Sequence, residues 1–201
     1  MSKKAYSKEE REAVYQALLT TGRQLFARQG YGRTTLAQIY NQVGISKNFF
    51  YTFFPSKEIC VSTVLDSQRP FLIEMAKKQM EKPGATWQDA IRDFLLCCLN
   101  GKETGIFIMT LTEQRVVFRN LSETIYRKFQ EGQEAFYRSL LMIWGLGEVI
   151  EPKILGNMAF SILMLHNSSR ENAPFLFQDE MDETARLQIE ALITYLEKMK
   201  R

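Results

Sequence analysis

Two serine–lysine pairs stand ten residues apart, Ser46-Lys47 and Ser56-Lys57. In each, the serine hydroxyl can accept a backbone N–H as a helix N-cap, which puts the lysine in the first turn. A helix N-terminus with unpaired N–H groups and an adjacent ammonium suits an anion, a phosphate above all. Around the pairs runs "GISKNFFYTFFPSKE", Gly44 to Glu58, with five aromatics in the six positions from Phe49 to Phe54.

Other chemistry is thinly supplied. His166 is the single histidine, and with no Glu-x-x-His pattern a metal site or di-iron chemistry in a helical bundle lacks ligands. Cys60, Cys97 and Cys98 do not make a disulfide framework, and the adjacent pair has no nearby basic partner to activate a thiolate. The expectation is no enzyme, no metal and no cofactor, with the buried thiols of a reduced cytoplasmic protein. The longest apolar stretches, such as Met158 to Leu165, are too short to span a membrane, and "MSKKAYSKEE" does not read as a secretory signal.

Charge points to the same end of the chain. Residues 1–67 hold nine Lys and Arg against five Asp and Glu, while the remainder holds seventeen against eighteen. A basic excess confined to the first third suits a polyanionic partner there.

The elements that must position these residues read as helices throughout. Ser7-Lys8-Glu9-Glu10 fits a capping box, followed by Val14, Leu18, Leu25 and Phe26 at helical spacing. Gly30 and Gly32 end that helix. Thr35-Leu36-Ala37-Gln38 is a second capping box, and Leu36, Ile39, Tyr40 and Val43 form one face before Gly44 closes the segment. A helix so short must pack against neighbours. After Ser46, Phe50 and Phe54 fall inward with Ile45, while Asn48 and Thr52 lie opposite, flanked by Phe49, Tyr51 and Phe53. Read as a strand, the same residues would expose aromatics on both faces and have nothing to pair with. Pro55 stops the segment and Ser56 caps the next helix.

Beyond that, breaks are expected at Pro83-Gly84, Gly101 to Gly105, Gly145 to Gly147 and Pro174. Helical patterns follow Thr86, run from about Asn120 to Trp144, restart at Glu151-Pro152 and restart again near Asp182. The fold class is all-α. Two short helices joined by a glycine turn make a helix-turn-helix, whose second helix enters the DNA major groove.

At these residues the sequence resembles the TetR-type bacterial transcriptional regulators. "GYGRTTLAQIYNQVGISKNFFYTFFPSKEIC" is similar to their signature nearly end to end, through Gly30, Thr35, Ile39, Gly44, Ile45, Ser46, Lys47, Tyr51, Phe54, Lys57 and Glu58. The resemblance covers roughly residues 12–66. It implies a three-helix DNA-binding domain, residues 1–55, followed by a larger helical domain, residues 56–201, for effector binding and dimerisation. It implies a cytoplasmic homodimer, made by the last two helices, that represses from a double-stranded DNA operator and is released by a small effector. Carried across by position, Lys47, Tyr51 and Lys57 would hold phosphates, and Asn48, Phe49 and Phe53 would lie at or near bases. Ser46, Thr52 and a secondary contact from Thr35 complete that set. Asn48, Phe49 and Phe53 depart from the family's usual Gly, small polar residue and His or Tyr, which leaves the operator sequence open.

In the larger domain the expected effector is largely apolar. Its expected lining is Phe94, Cys98, Phe107, Met109, Tyr126, Phe129, Phe136, Tyr137, Met158 and Met164, adaptable residues of the kind such pockets use. The expected dimer face is Ile154, Leu155, Met158, Ile162 and Leu165 with Ile189, Leu192 and Leu196. The alternative is a helical carrier or partner-binding module without DNA regulation. It would account for the later helices and leave the helix-turn-helix unexplained.

Overall fold

The computed structural model describes residues 6–147, 149–169 and 177–200, the side chains of Ser168 and Ser169 excepted; the break expected at Pro174 lies outside them. Among the described residues no strand occurs. The helices are α1 (Lys8–Arg33), α2 (Leu36–Val43), α3 (Lys47–Phe50), α4 (Lys57–Met80), α5 (Trp87–Leu99), α6 (Gly101–Thr104), α7 (Leu111–Arg119), α8 (Glu123–Ile143), α9 (Pro152–Ser169) and α10 (Met181–Met199). None of them is long and apolar enough to cross a membrane.

Local chemistry sets the early boundaries. The Ser7 hydroxyl accepts the Glu10 N–H while the Glu10 carboxylate accepts the Ser7 N–H, so both orphan donors are satisfied. Gly30 takes φ 79° and ψ 170°, which interrupts α1 and leaves Tyr31 to Arg33 as a separate turn. Thr35 and Gln38 form the second reciprocal cap, and Gly44 closes α2 in the left-handed region at φ 78°. The Ser46 hydroxyl accepts the Phe49 N–H at 3.2 Å, and Ser56 caps α4 through the Ile59 N–H at 3.2 Å. The helix-turn-helix of the sequence pattern is therefore present, with a second helix of a single regular turn.

Further along, the expected break at Gly101 to Gly105 is itself a turn of helix, α6, because Asn100 starts a new turn that Gly105 ends at φ 73°. The stretch from Asn120 begins only at Ser122, whose hydroxyl accepts the Ile125 N–H. An additional capping box, Thr110 with Glu113, opens α7.

Two apolar clusters hold the helices. The first joins Leu18 and Phe26 of α1, Ile39 of α2, Phe50 and Phe54 around α3, and Cys60, Val61, Val64 and Leu65 of α4 to Phe107, Met109, Val117 and Phe129. The second joins Leu72 and Ala76 of α4 to α5, the end of α8, α9 and α10 around Trp144, with Leu155, Ile189, Leu192 and Leu196 inside it. α4 thus belongs to both, its first half to one and its second half to the other. Phe26, Phe50 and Phe54 are almost wholly buried, and each such side chain contributes roughly 1.5–3 kcal/mol by leaving water.

Candidate nucleic-acid interface and cavity

α2 and α3 present a polar surface. Lys47, Asn48, Tyr51 and Thr52 are exposed, as are Thr35 and Ser46 at the two caps. The cap hydroxyls of Thr35 and Ser46 already accept the Gln38 and Phe49 N–H groups, so their first duty is to the helices. Thr52 donates its hydroxyl to the Phe49 carbonyl at 2.8 Å. Lys47, Asn48 and Tyr51 remain free to reach outward as an ammonium, an amide and a phenol.

Phe49 and Phe53 are held differently. The Phe49 ring stacks on Tyr6 at 4.2 Å and meets Phe53 edge-on at 5.1 Å. Phe53 stacks on Tyr15 of α1 at 6.0 Å, and the Arg11 guanidinium lies 4.3 Å above it while donating to the Thr52 carbonyl. Both phenylalanines are half-buried in this stack. Arg11 escaped the sequence reading because its partner Thr52 is 41 residues away.

Lys57 is likewise engaged. Its ammonium donates to the Tyr31 carbonyl at 2.6 Å and sits 3.9 Å from the centre of the Tyr31 ring. Burial pulls this ammonium below its ordinary pKa. The Tyr31 hydroxyl donates to Glu58 at 2.8 Å, and burial with that bond pushes the phenol well above its usual range. The expected phosphate ligand Lys57 therefore ties α4 to the last turn of α1, after Gly30, and an ammonium with three donors keeps further hydrogens to offer.

Behind this face lies a cavity of about 640 Å³ between α4, α5, α8 and α9. Eight of the ten residues expected to line it do so: Phe94, Cys98, Phe107, Met109, Tyr126, Phe129, Phe136 and Tyr137. Met158 and Met164 do not. Met158 packs on the second cluster, and the Met164 sulfur accepts from Gln114 at 3.3 Å. Helical spacing alone cannot say on which side of a packed helix a methionine falls. The polar wall residues Gln68, Arg69, Gln114 and Gln133, and Trp144, were not anticipated. Gln68 closes the floor by a reciprocal pair, its amide donating to the Phe107 carbonyl and accepting the Phe107 N–H.

The wall reaches α1, the helix on which α2 and α3 pack, directly. Phe107 stacks on Phe26 of α1 at 5.3 Å. Two residues past Met109, α7 begins, and the Glu113 carboxylate accepts both the Thr110 N–H and the Tyr31 N–H. A Cβ on Gly30 would lie 2.8 Å from Glu113 Oε1, and its φ of 79° already favours a glycine there. Arg23 of α1 donates to the Gly105 carbonyl at 2.9 Å.

The expected dimer residues divide. Leu155, Ile162, Ile189, Leu192 and Leu196 are buried within the chain's own core, a correction to the expected face. An apolar stripe read from sequence picks out the inward side first. Ile154 and Leu165 are exposed, Met158 is half-buried, and Leu187 of α10, 62% exposed, joins them outside.

Comparison with known proteins agrees with this architecture. Residues 18–63 match the family model described as bacterial regulatory proteins, tetR family. No curated protein matches the sequence at a significant level. A TetR-family transcriptional regulator from Pectobacterium atrosepticum superposes with a TM-score of 0.56 at 18% identity, over 96% of this chain and 97% of that one. NemR of Escherichia coli in its reduced form gives 0.55 at 19%, over 89% and 96%. A TetR transcriptional regulator from Legionella pneumophila gives 0.54 at 18%, over 94% and 99%. Residues 18–63 thus match the tetR family's model, and the described helices share the fold of these solved TetR-family structures.

Proposed function

We propose that the chain is a cytoplasmic, homodimeric repressor that binds operator DNA through α2 and α3 and is released when a small, largely apolar molecule enters the cavity. The division of labour falls near Pro55, with residues 1–55 for DNA and residues 56–201 for the ligand and the partner subunit. The observation that carries this reading is the continuity between cavity and DNA face. Phe107 is at once a cavity wall and a neighbour of Phe26 in α1, and the helix α7 that follows holds the Tyr31 N–H.

The partner surface is the outer side of α9 and α10. Ile154, Met158, Ser161 and Leu165 recur at intervals of four, three and four residues, and Leu187, Ala191 and Thr194 at four and three. Against a second copy these faces form an isologous four-helix contact. Two recognition helices then meet half-sites about one helical turn, roughly 34 Å, apart. A ligand that changes this spacing shifts DNA affinity by its difference in affinity for the two spacings, typically about 5–150-fold.

The test is fluorescence anisotropy with the DNA upstream of the protein's own gene. Specific, salt-sensitive binding is expected, and Lys47→Ala lowers the salt slope by about one counterion. No preference for that DNA over random duplex, at any salt, defeats the regulator reading and leaves the helical carrier.

A further inference from the structure

The cavity has one polar corner, and it is built at a cost to two helices. Gly132 stands in the middle of α8, where glycine is about 0.5–1 kcal/mol worse than alanine. A Cβ there would lie 2.0 Å from Arg69 Nη1, so the glycine makes room for the guanidinium. Gly156 in α9 does the same for Tyr137, whose ring would lie 2.8 Å from an added Cβ.

Both side chains line the cavity, and both keep donors in hand. Arg69 uses Nε on Gln133 at 3.1 Å and Nη2 on the Phe129 carbonyl at 3.0 Å, with Asp66 Oδ1 2.6 Å from Nη2. Its Nη1 has no acceptor among the described residues. The Tyr137 hydroxyl makes no hydrogen bond among them either. The indole N–H of Trp144, a third residue of the wall, is buried without an acceptor. Arginine and tryptophan can only donate, and an unpaired buried donor is costly.

The opposite charge is accounted for. Asp66 is the counter-ion of Arg69 and is not part of the wall. Glu134 is neutralised by Arg138 at 2.8 Å and Lys153 at 3.2 Å, and Glu131 is exposed at the rim. An ammonium ligand would meet donors in the depth of the cavity. A hydrocarbon would leave them unpaired.

Resting on the effector reading above, we propose that the ligand is an organic acid. Its carboxylate is held by Arg69 and the Tyr137 hydroxyl, and its apolar body is held by the walls formed by Phe94, Phe118, Phe129 and Phe136. Guanidinium and phenol donors to a carboxylate are the strong, charge-assisted kind.

The experiment uses two matched series, so that shape does not decide: 1-naphthoate, 1-naphthalenemethanol and 1-naphthylmethylamine, then decanoate, decanol and decylamine. Each is titrated into the intact protein by calorimetry. In both series the acid is expected to bind at least about tenfold tighter than the alcohol or the amine, as one charge-assisted bond allows. Arg69→Gln abolishes that preference, Arg69→Lys restores part of it, and Tyr137→Phe weakens the acids several-fold with the alcohols unchanged. Gly132→Ala, which removes no wall side chain but displaces the Arg69 guanidinium, lowers acid binding as well. Alcohols or amines binding as tightly as the acids, no binding by either acid, or an acid preference that survives in Arg69→Gln and Tyr137→Phe overturns the proposal. Acids that bind through Arg69 yet leave DNA affinity unchanged uphold the ligand class and defeat the switch.

Discussion

The helix-turn-helix and the helices around the cavity use aromatic side chains to opposite ends. In the first, Phe50 and Phe54 fill the space between α1, α2 and α4, and even the half-exposed Phe49 and Phe53 are stacked on Tyr6 and Tyr15. In the second, Phe94, Phe118, Phe129 and Phe136 surround a void of about 640 Å³. One region works because its interior is full, so that a single turn of helix is held rigidly at the surface. The other works because its interior is incomplete. Packing density, usually read as stability, here divides the surface proposed to read DNA from the cavity proposed to sense a ligand.

The largest expected effect is on that contrast itself. Phe50→Ala should cost about 3–5 kcal/mol of folding stability and abolish DNA binding, since the ring is enclosed on every side. Phe118→Ala, which enlarges a space already open, should cost about 1–2 kcal/mol and change ligand affinity more than stability. Urea unfolding of both variants measures the difference, and equal losses would mean that the cavity collapses in solution.

A smaller effect isolates backbone from packing. An added Cβ at Gly44 meets nothing within 4 Å, yet φ is 78°. Gly44→Ala should therefore cost about 1–2 kcal/mol through the left-handed conformation alone. A loss above that range would show that the turn is closer to its neighbours than the structure has it.

Glu113→Ala removes one link between the two regions and leaves the Phe107–Phe26 and Arg23–Gly105 contacts in place. It leaves the Tyr31 and Thr110 N–H groups without their acceptor, for about 1–3 kcal/mol in stability. The measurement that matters is ligand affinity with and without DNA. The ratio should move toward one in the variant, and an unchanged ratio would route the coupling through Phe107 and α4 instead.

The smallest effect is chemical. Burial pushes the Cys60 thiol up to about 12 and Cys98 higher still, while Cys97 is only half-buried. Iodoacetamide followed by peptide mass analysis should find Cys97 alkylated first. Early labelling of Cys98 would show that the cavity admits the reagent.

Legibility followed the range of the interactions. Ser7 with Glu10, Thr35 with Gln38 and Thr86 with Asp89 are three-residue relations, and the sequence displays both partners side by side. Thr110 and Glu113 have the same spacing. What the spacing cannot show is that Glu113 also accepts the N–H of Tyr31, 82 residues away. The cavity residues on α5 and α8 followed from aromatic spacing, whereas Arg69 resembles any helical arginine until Gly132 is placed opposite it. Leu187 stands between Arg186 and Gln188 and so forms no apolar run, which is why the outer face of α10 was missed in favour of the buried Ile189 and Leu192.

Pro70 lies inside α4, between Leu65 of the first cluster and Leu72 of the second. It has no N–H to give the Asp66 carbonyl, so the rod lacks one of its internal ties at the point where it passes from one core to the other. Mechanically this makes a fulcrum. At 1.5 Å per residue the arm from Pro70 to Lys57 is about 20 Å long, so a tilt of about five degrees sweeps the Lys57 end through about 2 Å. A displacement too slight to disturb the packing around Leu72 and Ala76 is thus magnified at the far end of the arm.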